Sequence, residues 1–250
     1  MENKDSQDTA SAGLGALRPL RKAINDAVSL PAYSLEQAAQ NVARLLYEEF
    51  KEAVVLARLF ITVSHLQLPA PLRTAVQKIA AGARQEVRNG TPVLTLIGTY
   101  GAQADWCDSR LSQGHAVIPL ISPSFVSSLP MIALMLEELG IDVHVPNKQD
   151  RDSFVDRGRF MSGAFYVEDA ATATDRQDRK VISAQDFVAA HGVHTVFGAG
   201  AAYPSAETIL TLILFTRQRL PASVKRNAMI AINELRALTQ HHVASQRIFA

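Results

Sequence analysis

Asp186-Phe187-Val188-Ala189-Ala190-His191-Gly192-Val193-His194-Thr195-Val196-Phe197-Gly198, taken with Ile209-Leu210-Thr211-Leu212-Ile213-Leu214-Phe215, carries the strongest structural signal in the chain. Residues 184–190 read as a short helix. Gly192 is placed to end it, because glycine adopts the left-handed conformation beyond a helix end without a Cβ penalty. The runs near 194–199 and 208–216 are dense in β-branched and large apolar residues, which predicts two strands joined as a hairpin. Pro221 then opens a final helix, since proline is tolerated in a first turn. Along it Val224, Ala228, Ala231, Leu235 and Leu238 recur at alternating spacings of four and three, the period of a helix-pairing seam.

The chain upstream alternates in the same way. Residues 1–13 are Ser, Asp, Gly and Ala rich and read as disordered. A helix over 14–28 is expected to be interrupted near Pro19. Ser34-Leu35-Glu36-Gln37 has the form of a capping box, and apolar residues at helical spacing continue it to about residue 51. Strands are predicted over 54–63 and 93–100, with a helix opened by Pro69 and Pro71 between them. The short apolar run 116–121 follows. An apolar helix then runs from Pro123, split or kinked at Pro130, to Gly140. A strand at 164–168 lies between two charged, aperiodic segments at 149–159 and 172–180, both read as exposed loops. Strands of mostly antiparallel order with helices packed on them predict an α+β fold.

Composition narrows the function classes. The 250 residues carry 25 Lys plus Arg against 24 Asp plus Glu, a formal net charge of +1. That balance gives no general electrostatic pull towards nucleic acid or an anionic membrane. Cys107 is the sole cysteine, so neither an internal disulfide nor a cysteine-rich zinc site is available. The start of the chain lacks the basic and then apolar order of a signal peptide. The run 53–57 stops at Arg58, and 209–215 is interrupted by Thr211, so neither approaches the roughly 20 apolar residues that span a bilayer. A cytoplasmic protein is expected.

The segment 186–198, continued through 209–215 and Pro221, resembles the late part of a GAF domain. There a helix ends at a Gly-Val turn, enters a central strand, and is followed by a second strand and a closing helix. A second stretch, Asp105-Trp106-Cys107-Asp108-Ser109-Arg110-Leu111-Ser112-Gln113-Gly114-His115-Ala116-Val117-Ile118-Pro119-Leu120, is similar to a Trp-Asn-Asp-Arg-x-x-Ser-x-Gly-His-x-x-Ile-Pro-Leu pattern. That pattern occurs in GAF-like regions at the N-terminal end of bacterial sensor histidine kinases and related signalling proteins. Those regions also carry a helix beginning Pro-Met-Ile, as Pro130-Met131-Ile132 does here. The chain departs from the pattern at Cys107, where Asn is typical, and at Ser109. Pro204-Ser205-Ala206-Glu207 also replaces the usual glycine-containing hairpin turn. The resemblance covers about residues 54–238 and implies sensing or regulation without naming a signal.

The chemical candidates gather in the second stretch. Trp106, Asp108, Arg110, Ser112 and His115 place an aromatic face, a carboxylate, a guanidinium, a hydroxyl and an imidazole on one loop, a set able to orient a small polar ligand. The competing reading is structural: Arg110 pairs with Asp108 or Asp105, Trp106 plugs the sheet edge, and Gly114-His115 is a turn. Cys107 lies between Asp105 and Asp108, which oppose the lowered pKa a reactive thiolate needs. It also lacks the following histidine of the bilin-attaching GAF domains. Asn147-Lys148-Gln149-Asp150 spells the Asn-Lys-x-Asp motif of the cyclic-nucleotide-binding members, but outside the late helix where it belongs. The seven histidines show no metal-ligand spacing. The stripe Met131, Leu134, Met135 and Leu136 reads as core.

These readings combine into one expectation. Residues 34–243 form a GAF-like domain after a flexible tail at 1–33 with a short helix, and 244–250 form a C-terminal tail. The domain is a non-catalytic sensory or regulatory module of bacterial signal transduction, with cofactor unknown and no metal. It pairs as a homodimer through its terminal helices and acts on a signalling kinase or other output protein. Two alternatives stand beside it: an adaptor that assembles through the same helices over a filled-in pocket, and a small enzyme using Asp108, His115 and Cys107.

Overall fold

The structure, a computed structural model, describes residues 17–112, 115–141, 162–204 and 208–250. Within them lie seven helices: α1 (Leu17–Val28), α2 (Leu35–Glu49), α3 (Ala70–Gly82), α4 (Pro123–Ser127), α5 (Pro130–Glu138), α6 (Gln185–His191) and α7 (Val224–Ala244). Six strands accompany them: β1 (Val54–Ser64), β2 (Pro92–Gly101), β3 (Val117–Pro119), β4 (Ser162–Val167), β5 (Thr195–Ala202) and β6 (Ile209–Thr216). The strands make one sheet in the order β3-β2-β1-β6-β5-β4, antiparallel at every step. The expected α+β class and antiparallel sheet are therefore what the chain forms.

Helices cover both faces, which explains why β5 and β6 are buried along their whole length and read as continuous apolar runs. On one face α1, α2 and α7 pack a core that includes Leu20, Ile24, Val42, Leu46, Leu212 and Leu235. On the other, α4, α5 and α6 cover Leu56, Phe60, Ile132, Phe165 and Ile213. The backbones approach closely at Gly98, where an added Cβ would fall 2.6 Å from the Ala39 carbonyl carbon of α2. That position tolerates only glycine at this spacing.

Local sequence accounts for the element ends. Ser34 accepts the backbone N–H of Gln37 at 3.2 Å, as its cap position predicts. The returning half of the box differs, because the Gln37 side chain accepts from the Tyr33 N–H at 2.7 Å instead of from Ser34. Gly192 ends α6 in the left-handed conformation, with φ of +60°. Pro130 does split the apolar helix, giving α4 and α5. Pro19 does not interrupt α1: it sits in the first turn, where its missing N–H costs no intrahelical bond.

Three expectations change in this frame. The supposed tail at 1–33 divides, since 1–16 lie outside the described residues while α1 packs Leu20, Ile24 and Ala27 into the core. Residues 244–250 are also tied in: Ile248 is buried, and the carbonyls of Arg247 and Ile248 accept the first N–H groups of α2, from Leu35 and Glu36, at 2.9 Å each. The seam on α7 is corrected as well. Val224, Ala228, Ala231 and Leu235 are at most 1% exposed within a single chain, packed on its own sheet and α1. They cannot also form a seam to a second copy. Leu238 alone of that set stands at the surface. No helix among the described residues is long and apolar enough to cross a membrane. The 149–159 loop and the Asn147-Lys148-Gln149-Asp150 spelling lie outside the described residues.

Candidate functional site

A bulge in β1 sets up the site. The pairing with β6 shifts between Val54 and Leu56, so Leu56, Arg58 and Phe60 then share the face opposite α2. Arg58 stands opposite Thr99 of β2 and Ile213 of β6, in the middle of the sheet. Above this row lies a cavity of about 270 Å³. Leu56, Arg58, Phe60, Ile213 and Phe215 form its floor on β1 and β6. Leu129, Met131 and Ile132 roof it from the α4–α5 junction. Ile182, Ser183 and Phe187 close the side formed by α6 and the segment before it. Trp106, His115 and Ile118 also line it.

Aromatic packing fixes the Trp106 wall. Its ring meets Phe187 edge-on at 5.4 Å and His191 edge-on at 4.7 Å, and Phe187 in turn meets Phe215 at 5.5 Å. The indole also lies directly on Gly101, where a Cβ would come within 2.8 Å of the ring. The short helical turn carrying Trp106 is held from below by Gln40 of α2. The Gln40 amide donates to the carbonyls of Thr99 at 2.8 Å and Cys107 at 3.0 Å, and it accepts the Thr99 N–H at 3.1 Å. These bonds satisfy a stretch of β2 beyond the reach of β3, which pairs only with 93–95. Outside the cavity, Arg179 pairs with Asp175 and donates to the Ser127 carbonyl at 2.7 Å, tying the 169–184 segment to α4.

The loop residues singled out in the sequence separate. Trp106 and His115 face the cavity, and Ser112 reaches it indirectly, its Oγ lying 3.5 Å from Nη2 of Arg58. Asp108 and Arg110 are exposed and are not among the lining residues. The Asp108 carboxylate instead accepts the Arg110 backbone N–H at 2.8 Å, capping a single helical turn. Cys107 is half-buried, with Sγ directed at the carbonyls of Gln103 at 3.4 Å and Gly101 at 3.6 Å. The rings of the adjacent His241, exposed, and His242, buried, lie 3.9 Å apart. Among the described residues no cluster of His, Cys, Asp or Glu is arranged to hold a metal ion.

A candidate site residue that the sequence does not mark is Arg58. Its only trace there is a single cation breaking the apolar run of β1, and only the strand register aims it at a cavity. Burial pushes its guanidinium down to about 10, because the charged form loses hydration there. Nε is fully enclosed and has no hydrogen-bond partner among the described residues. His115 is exposed as a residue, but its ring, partly desolvated at the cavity wall, is pushed below the ordinary imidazole value, first by that desolvation and then by the Arg58 charge. It holds a left-handed backbone, with φ of +56°, a conformation costly for a residue with a Cβ. The site is thus an apolar chamber with one cation on its floor and an indole and an imidazole in its wall.

Neither the family models nor the curated proteins include a match to this chain. Among solved structures, the chain is similar to the GAF domain of a phosphoenolpyruvate-protein phosphotransferase from Coxiella burnetii, at 13% identity and a TM-score of 0.46, covering 92% of this chain and 95% of that one. It is also similar to the phycoerythrobilin-bound GAF domain of a cyanobacterial phytochrome, at 12% identity and a TM-score of 0.40, covering 96% and 97%. A third is the chromophore-binding domain of a bacteriophytochrome from R. palustris, at 8% identity and a TM-score of 0.40, where 91% of this chain spans 62% of the other. The architecture of this chain rests on its own sheet and helices.

Proposed function

We propose that this chain is a non-catalytic sensory or regulatory domain that holds a small ligand between its sheet and the α4–α5–α6 layer. The observation that carries the reading is the cavity itself: about 270 Å³, walled mainly by apolar and aromatic side chains, with one guanidinium on its floor. Concave, mostly apolar sites with a few convergent polar groups are the usual form of small-molecule sites. An adaptor whose pocket has filled in would not keep such a space, which favours the ligand reading over that alternative.

The relay follows from Gln40. It joins the Trp106 segment to α2, one of the two long helices on the far face of the sheet. Occupancy that shifts Trp106 therefore biases α2, and through it whatever copy or output protein, such as a signalling kinase, reads the outer helices. Hydrogen exchange with and without a saturating ligand tests this. Binding is expected to slow exchange in 104–112 and in α2 together. A ligand-saturated protein with unchanged exchange in α2 would rule out the relay while leaving the site.

A further inference from the structure

We propose that the cavity selects organic monocarboxylates: an aromatic or branched apolar body seated against Trp106 and Phe60, with its carboxylate docked on Arg58. This rests on the ligand-binding reading above and names the ligand class.

Arg58 lies on a central strand, where the ladders to β2 and β6 already use the neighbouring carbonyls. Its only hydrogen bond to a described residue is the long one from Nη2 to Ser112, at 3.5 Å, and among the described residues no carboxylate pairs with it. A guanidinium has five N–H donors, so most of its capacity is open, with Nε enclosed and unpartnered. Arg58 is half-buried, and a guanidinium whose Nε is enclosed in this way is costly unless a counter-charge meets it. A planar carboxylate matches the guanidinium fork with two parallel bonds. Inorganic phosphate fits poorly here, because walls of Leu56, Phe60, Ile118 and Phe215 offer nothing to replace its hydration. Size sets the body: a cavity near 150 Å³ accommodates benzene, so 270 Å³ holds about 11 non-hydrogen atoms.

The chain contains a single tryptophan, Trp106, and it lines the cavity, so its emission reports on this site alone. The experiment titrates the full chain with 3-phenylpropanoate and with 3-phenylpropanamide, a pair of equal size differing in charge. The carboxylate is expected to bind at least about tenfold more tightly than the amide, as a charge-assisted bidentate bond requires. Arg58→Met is expected to abolish that preference and Arg58→Lys to reduce it. Equal binding of the two probes to the wild-type chain, or a preference that survives in Arg58→Met, overturns the carboxylate assignment and leaves the cavity a ligand site of other specificity. If neither probe changes Trp106 emission or the melting temperature, both the carboxylate assignment and the cavity's role as a ligand site fall. The wild-type comparison decides the matter even if Arg58→Met fails to fold.

Discussion

His115 and Arg58 place an imidazole and a guanidinium on one cavity, and the imidazole couples folding to pH. The protonated imidazole is disfavoured in the folded chain by burial and by the Arg58 charge, so the folded pKa lies below the unfolded value. Above about pH 6.5 both states hold a neutral ring and His115 costs nothing. As pH falls through that value the unfolded chain takes up the proton first, and stability is lost until the folded pKa is passed. His242, depressed by burial and by His241 and Arg247, acts in the same direction. Glu234, whose carboxyl is held low chiefly by its hydrogen bond from Arg21, also loses stability on acidification, at lower pH. The His115 share therefore has to be read as a difference. His115→Asn is expected to show a shallower fall in unfolding free energy between pH 7 and 5 than the wild type in parallel urea titrations. Identical slopes would show that folding leaves the proton affinity of the imidazole unchanged. At this scale the sequence marks only half of the site. Trp106 and His115 stood out as unusual residues on a loop, whereas Arg58 lay inside a strand pattern, where a charge carries no direction until pairing assigns a face.

At the level of elements, Gln40 is the strut between the helix on one face of the sheet and the site on the other. It supplies three hydrogen bonds, two to Thr99 and one to Cys107, where β2 has outrun its partner β3. Gln40→Leu keeps the size and helix propensity of the residue but leaves those backbone groups unsatisfied, at a cost of about 2–3 kcal/mol. The amides of 99–112 are expected to exchange faster in this variant, and Trp106 to lose the fixed environment given by Phe187 and His191. Unchanged exchange there, with only global stability lowered, would make Gln40 a core-packing residue and no more. The strands and most helix ends were legible because local chemistry sets them: Gly192 and Gly140 both adopt positive φ at helix ends, and Pro130 breaks a helix. Helix α7 was legible as an amphipathic element but not in its partner. A four-and-three apolar spacing is the same whether the stripe meets another helix or, as here, the chain's own β5 and β4.

At the scale of the whole molecule, residues 247–250 are joined to the start of α2. Carbonyls of Arg247 and Ile248 accept the N–H groups of Leu35 and Glu36, which no intrahelical bond can satisfy, and Glu36 accepts the Ala250 N–H at 2.8 Å. Removing residues 247–250 takes away two such acceptors and the buried Ile248 side chain, so a loss of about 3–5 kcal/mol is expected in chemical denaturation. A change below about 1 kcal/mol would show that solvent replaces the contact. The same closure limits how two copies can meet. With Val224, Ala228, Ala231 and Leu235 used internally, the apolar residues α7 still presents at the surface include Ile230, 38% exposed, and Leu238, 37% exposed. They lie eight residues apart, so they fall within one stripe roughly 80° wide on the outer face. Pairing of copies through that stripe is expected to be broken by Ile230→Glu with Leu238→Glu, giving a monomer in sedimentation with wild-type melting, because both carboxylates remain hydrated. Leu235→Asp should act differently: a carboxylate at a fully enclosed position costs several kcal/mol and unfolds the chain before it dissociates anything. A wild-type chain that sediments as a monomer at micromolar concentration would remove the homodimer from the proposal, and the relay would then have to pass from α2 directly to the output protein.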